Sequence, residues 1–263
     1  MATTFAKNMI YNDHSLKEFK CILCSIGESL DIDKELGIDF KPLTDKSDSS
    51  NYTFDFGTTE GEPLKINMTI MHCDHTPFNE FTHREIINWL LPDKNLHWLA
   101  IYDNNISDIY YLCRVTSMTK KVINNKIIGY SITFTCNSTC GYTELLRHDY
   151  NINSSSTFTI YSDTDSLSYL YPDLIIIPMT ETISIKNMTD NNRILTLNHC
   201  VIGDEIHIDG KYQEIYSDQK ESYSDSFNWN FFRLVPRLNN EISVEGSCSL
   251  SISYRNERRV GEY

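Results

Sequence analysis

His72, Cys73, His75 and His83 are the densest group of metal-ligating side chains in the sequence. Imidazole and thiolate ligands suit a zinc ion, which takes four of them in a tetrahedron. Their order, H-C-x-H-x7-H, matches none of the usual zinc spacings, and no second half of a site follows. They read as loop residues between a strand and a helix. Cys21 and Cys24 form a C-x-x-C, and Cys136 and Cys140 a C-x3-C, patterns that zinc and redox sites use. Residues three apart on a strand point to opposite faces, so Cys21 and Cys24 chelate only if a turn intervenes. Eight cysteines in a chain without a secretory signal predict free thiols, with Cys24 and Cys136 as small buried hydrophobes in strands.

Asp163-x-Asp165 and Asp31-x-Asp33-x-Glu35 share the opening of a calcium loop. Ser168 and Leu36 stand where the sixth-position glycine belongs, and Leu174 and Pro42 replace the twelfth-position Glu, so both read as ordinary turns. Arg255, Arg258 and Arg259 read as a solvated tail. Trp89, Trp98 and Trp229 could stack on sugars; Trp89 and Trp98 are expected in the core, and Trp229 is the one expected to be exposed. There is no G-x-S-x-G, P-loop, G-x-G-x-x-G or H-E-x-x-H. No catalytic, cofactor-binding or metal-binding residue is therefore assigned, and the chain is expected not to be an enzyme.

The elements around these residues are mostly strands. Thr82 and Glu85 have the T-x-x-E spacing of a capping box, and Ile86, Trp89 and Leu90 fall on one face of the helix that follows. Pro92 ends that helix. Before it, Lys20–Ile26 and Ile32–Phe40 read as strands, and 41–61, polar and marked by Pro42, Gly57 and Gly61, as a long loop or flexible arm. Leu64, Ile66, Met68 and Ile70 share one strand face. After the helix, 96–102 reads as a strand covered on both sides, with a turn at Asp103-Asn104-Asn105. Ile109, Tyr111, Cys113 and Val115 share a face. Asn124-Asn125 makes a two-residue hairpin turn, and Ile128, Tyr130, Ile132, Phe134 and Cys136 share a face on the way back.

The polar run 147–157 lies near a domain boundary, which divides the chain into 1–146 and 147–263. The second half is read as β throughout. It has an opening strand at 158–161, a continuous apolar run at 174–177 that reads as fully buried, and strands at 182–185 and 193–197 paired across 187–192. A hairpin spans 205–216, and 231–234 and 250–254 close the set. Short strands at about ten-residue spacing predict a β-sandwich.

A net charge of −13 argues against a nucleic-acid binder and suits a protein that stays soluble. Aromatic content of 12%, with sixteen Tyr, leans toward β structure. MATTFAKNMIY lacks the apolar core of a signal peptide, so synthesis in the cytoplasm without membrane insertion is expected.

The order of these elements resembles that of distal tail proteins of long-tailed phages. NWLLPDKNLHWLAIYD, then DIYYLCRVTSMTKK and a hairpin strand into FTCNSTCGY, is similar to their N-terminal domain. YPDLIIIPMTETISIKNMTDNNRILTL, EIHIDGKYQEI and FFRLVPRLNNEISVEG with SISYR resemble the motifs of their second domain. The resemblance covers most of 78–255; residues 1–75 match poorly. Arg237 stands where the family usually has Gly, so that turn is expected to differ. The resemblance implies a mainly β chain: an N-terminal β-sandwich-like domain with one short helix that builds a ring, and a C-terminal galectin-like β-sandwich. It implies a homo-hexamer at the distal tip of the virion tail, a baseplate component joining the tail tube protein to hub or fibre proteins. The arm at 41–61 and the hairpin at 115–136 are the expected inter-subunit contacts. No H-x-N-P-R segment of galectin type is present. The rival reading is a carbohydrate-binding host-adhesion module with Trp229 and Tyr223 in a stacking platform.

Overall fold

Alternating apolar residues dictate which face of each strand is buried, and turn residues dictate where each strand reverses. In the computed structural model, which describes residues 8–26, 41–46, 52–59, 61–74, 76–102 and 109–259, they build two compact units. The first comprises the described residues up to Tyr142 together with Arg259; the second is Thr143–Arg258. The expected strand at 32–40, the acidic residues Asp31, Asp33 and Glu35, the 103–105 turn and His75 lie outside the described residues.

The first unit opens with β1 (Asn8–Tyr11), β2 (His14–Ser15), a 3-10 turn at Leu16–Phe19, and β3 (Cys21–Ile26). β4 (Lys41–Lys46), β5 (Thr53–Thr59) and β6 (Lys65–His72) follow, then α1 (Glu80–Leu90). β7 (His97–Tyr102), β8 (Tyr110–Ile123), β9 (Lys126–Cys136) and β10 (Gly141–Tyr142) complete it. One antiparallel sheet runs in the order β2-β1-β7-β8-β9-β6-β3, with β10 against β8. The alternating faces meet in register: Ile66 opposite Phe134, Met68 opposite Ile132, Ile70 opposite Tyr130. α1 lays Ile86, Trp89 and Leu90 into the same core. Trp89 stacks on Phe19 with ring centroids 4.4 Å apart, and its buried indole N–H donates to the Tyr11 carbonyl at 2.8 Å. Gly129 lets β9 approach β6, since a Cβ there would stand 2.5 Å from the Ile70 carbonyl oxygen.

Two expectations are corrected here. The helix cap is Asn79, whose side chain accepts from the Thr82 N–H at 2.8 Å, so Thr82 lies inside the first turn. Asn caps at least as well as Thr, and starting at Asn79 adds a turn of helix with Glu80 at its positive end. Within 41–61 the described residues are mostly strand, not loop: β4 and β5 pair antiparallel, with a bulge between Pro42 and Thr44. The hairpin turn at Asn124-Asn125 is as expected, both residues left-handed at φ +49° and +61°.

The second unit contains β11 (Leu146–Ile152), β12 (Ser155–Tyr161), β13 (Asp173–Pro178), β14 (Ile183–Asn187) and β15 (Arg193–Leu197). β16 (Ile206–Asp209), β17 (Glu214–Ser217), β18 (Asn239–Glu245), β19 (Cys248–Tyr254) and β20 (Glu257–Arg258) follow. Sheet β11-β19-β13-β16-β17 and sheet β12-β18-β14-β15 enclose one core of inward Ile, Leu and Val residues. The mainly β, two-domain architecture is the one expected. Each buried side chain of this kind contributes about 1.5–3 kcal/mol. The polar run 147–157 lies within β11 and β12, edge strands whose outer faces meet water. The apolar run at 174–177 is buried on one face only, through Leu174 and Ile176. Residues 231–234 form no strand. Phe231 and Phe232 are both buried in an irregular segment, and Leu234 bridges to Leu170.

Buried side-chain amides hold that segment in place of a ladder. Asn240 accepts from the Val235 N–H at 2.7 Å and from Asn187 Nδ2 at 2.9 Å. Its own amide donates to the carbonyls of Val235 and Leu238. Asn187 also donates to the Arg233 carbonyl at 2.8 Å, and Arg233 pairs bidentately with the buried Asp190 while lying over the Tyr169 ring. An Asn240→Ala substitution strands several of these groups in the core. It is expected to lower the stability of the second unit by about 2–4 kcal/mol, measured as a lower urea midpoint.

Candidate assembly interface

The residues singled out for chemistry separate in space. His72 Nδ1 lies 3.1 Å from Thr76 Oγ1 and 3.4 Å from the Asp74 N–H, and Cys73 Sγ lies 3.6 Å from Asp74 Oδ1. Ligand atoms of His72, Cys73 and Asp74 come within 4.8 Å of one another, so these three could hold an ion at the surface turn after β6. His83 belongs elsewhere. It stacks on Tyr130 and hydrogen-bonds its hydroxyl, and burial lowers its imidazole pKa. All eight cysteines are free thiols; Cys21, Cys113, Cys136, Cys140, Cys200 and Cys248 are buried.

The Asp163–Asp165 turn is held by cations from the protein itself. Arg258 donates to the Asp163 carbonyl and carboxylate, and Arg237 donates to the carbonyls of Thr164 (3.2 Å) and Asp165 (2.6 Å). A guanidinium thus occupies the Asp163 carboxylate, the first oxygen a calcium loop would offer, and a second one ties the backbone of the turn. Arg255 donates to the Thr143 carbonyl, so neither it nor Arg258 belongs to a solvated tail. The turn at Arg237 keeps φ +60°, the left-handed conformation that Gly favours, although a different turn was expected. That conformation costs an L-residue about 1–2 kcal/mol, which the two guanidinium bonds offset.

The aromatic platform does not assemble. Trp229 is 54% exposed, but Tyr223 is buried at 1% with its hydroxyl 2.9 Å from Asp204. Burial alone would raise the Asp204 pKa. Donation from Ser217, Tyr223 and the Gln219 and Glu205 amides outweighs it and lowers the pKa below the usual carboxylate value.

What the surface does offer is unfinished sheet. From Arg114 to Ile123, β8 pairs only with β9, so its other edge has no strand beside it among the described residues. Val122 and Ile123 are exposed near the tip. No Asp or Glu occurs from Ile109 to Thr143, in a chain with 36 of them, whereas Arg114, Lys120, Lys121 and Lys126 lie on the hairpin. β3, at the far end of the sheet, pairs only with β6 among the described residues. The β4–β5 hairpin exposes Tyr52, Phe54 and Phe56 on alternate positions, at 79%, 53% and 69%. A two-stranded hairpin with its aromatics in water is marginal by itself.

Residues 5–138 match the family model described as phage tail protein N-terminal domain, and residues 140–254 that described as phage tail C-terminal domain. No curated protein sequence matches the chain. Among solved structures, the fold is similar to the Dit protein (gp 19.1) of phage SPP1, described as a paradigm of hub adsorption apparatus in Gram-positive infecting phages. Identity is 12% and the TM-score 0.65, covering 94% of this chain and 98% of that one. The phage P2 baseplate in its activated conformation with Ca contains a similar chain: 11% identity, TM-score 0.53, 94% and 97% covered. In the form with Sr the values are 12%, 0.54, 94% and 97%. The resemblance to distal tail proteins read from the sequence is borne out.

Two outcomes are expected from the geometry. Arg237→Ala lowers stability by about 1–2 kcal/mol in thermal or urea unfolding, whereas Arg237→Gly loses less, because glycine relieves the left-handed backbone. The folded pKa of Asp204 lies below its unfolded value, so its contribution is full above the unfolded carboxylate pKa and fades as pH falls through the folded one. The stability gap between the native chain and Asp204→Asn therefore narrows on acidification below about pH 4 in a pH series of urea melts.

Proposed function

The chain belongs to the phage tail protein family, and from that premise we propose that it is the ring-forming structural protein at the distal tip of the tail. Six copies associate head to tail, join the tail tube protein to hub or fibre proteins, and perform no catalysis. The ring is assembled in the host cytoplasm and carried on the virion. The observation that carries this reading is a pair of different strand edges with no neighbour among the described residues, β3 at one end of the sheet and the outer part of β8, which projects beyond β7. Two different edges on one subunit make a heterologous contact, and such contacts either close into a ring or grow without limit. Exposed aromatics on β4–β5 supply a second contact of the same kind, and charge supports the arrangement. The β8–β9 hairpin is cationic within a chain of net charge −13, so its tip is drawn to acidic surface on a neighbouring copy.

We take the ring domain and the galectin-like domain to meet near residues 146/147, within a few residues of the division between the two compact units at Tyr142 and Thr143. The exposed Trp229 favours a second reading for the C-terminal domain, a glycan-contact role. It would be supported by glycan-array binding that Trp229→Ala abolishes.

Light scattering after gel filtration tests the ring. Six chains of 30.6 kDa give about 184 kDa. A monomer that stays monomeric when tail tube protein is added overturns it. Phe54→Ser with Phe56→Ser, both at exposed positions, is expected to shift the hexamer toward monomer without changing the circular dichroism spectrum. Unchanged mass would remove the β4–β5 hairpin from the interface.

A further inference from the structure

Cys113 and Cys136 face each other at the base of the β8–β9 hairpin, directly opposite in register. The phase of the hydrogen bonds fixes how near they stand. Asn137 donates its N–H to the Leu112 carbonyl at 2.9 Å, which makes that neighbouring pair the hydrogen-bonded kind. Cys136 instead donates its N–H to the Leu64 carbonyl at 2.8 Å, away from β8. Pairs alternate along an antiparallel ladder, so Cys113 and Cys136 are a non-hydrogen-bonded pair, with Cα atoms about 4.5 Å apart and side chains on one face. A disulfide spans Cα separations of about 4.4–6.8 Å. Burial, and then hydrogen bonding and charge from the Cys136 sulfur, push the Cys113 thiol far above its ordinary pKa.

We propose that Cys113 and Cys136 are an oxidative modification site, a cross-strand disulfide that forms on exposure to a small peroxide and staples the base of the hairpin. Both side chains are buried, but Cys136 keeps 4% exposure near the end of β9, and a transient local opening there is the step that admits an oxidant as small as hydrogen peroxide. Its thiolate attacks one peroxide oxygen, the O–O bond breaks, and hydroxide leaves to take up a proton, giving a sulfenic acid. The Cys113 sulfur then attacks the Cys136 sulfur. The S–O bond breaks, and the departing hydroxide takes the Cys113 proton as water. Two thiols and one peroxide yield one disulfide and two waters.

The position gives the bond a consequence. β7 pairs with β8 only as far as His97 opposite Cys113, and beyond that point β9 alone supports β8. A covalent link there holds the register where the projecting hairpin leaves the shared sheet, and it closes a loop in the unfolded chain.

The test uses the full chain carrying Cys73→Ser, because Cys73 is the exposed thiol. The protein is treated with hydrogen peroxide, denatured, labelled with N-ethylmaleimide, digested and read by mass spectrometry. The expected result is two fewer maleimide groups per chain, a linked peptide joining Cys113 to Cys136, and a urea midpoint that rises on oxidation and returns on reduction. In Cys113→Ser, dimedone traps the sulfenic acid on Cys136. Maleimide on both Cys113 and Cys136 after oxidation, separate sulfonic acids on each, or a link from Cys136 to Cys140 would overturn the proposal.

Discussion

A strand presents backbone N–H and C=O groups on both of its edges, and each edge needs a neighbour or water. The first unit meets that demand from within for β1, β7, β9 and β6, which have strands on both sides. Among the described residues, outer β8 and β3 do not, nor do the two-residue β2 and the β4–β5 pair, each of which has a strand on one side only. The size of the hairpin follows from the same constraint. β8 runs past the end of β7 because β9 and the left-handed Asn124-Asn125 turn support it on one side only. Lys120 and Lys121 give that edge the charge that keeps it soluble.

The second unit solves the problem differently. Its β15 edge is covered by the segment around Phe227: Asn198 donates to the Ser226 carbonyl, Asn228 donates to Thr196, and the Asn228 side chain completes the pairing with Ile194 and Thr196. Irregular backbone between the sheets is tied by Asn187, Asn240 and the Asp190–Arg233 pair, which stand in for ladder hydrogen bonds. Such networks are stabilising only when every member has a partner, and here the amides of Asn187 and Asn240 are engaged on several sides. Asn187, Thr189 and the Asp163-x-Asp165 turn are thus structural. They close turns and bind guanidinium groups.

Several readings were legible in the sequence because they depend on local periodicity. The faces of β6 and β9, the helical face of Ile86, Trp89 and Leu90, and the Asn124-Asn125 turn require only neighbours in sequence. The hairpin β4–β5, the edge strand β11 and the first half of β12 were not legible as strands. Their side chains are polar or remain in water, so the buried-face alternation that marks a strand is missing. The Phe231-Phe232 segment misled in the opposite sense, because two adjacent buried rings look like strand and are held instead by distant asparagines.

For the candidate interface, sequence alone determined the charge balance, the absence of familiar catalytic spacings and the order of elements that resembles tail proteins. It also singled out the two segments whose edges and aromatics lie exposed. Only the tertiary structure decided that Tyr223 is buried on Asp204 while Trp229 stands out, and that Arg237 keeps a glycine-like turn. It alone placed Cys113 against Cys136. These outcomes depend on residues tens of positions apart reaching one another, and a one-dimensional pattern carries no term for the distance between such residues.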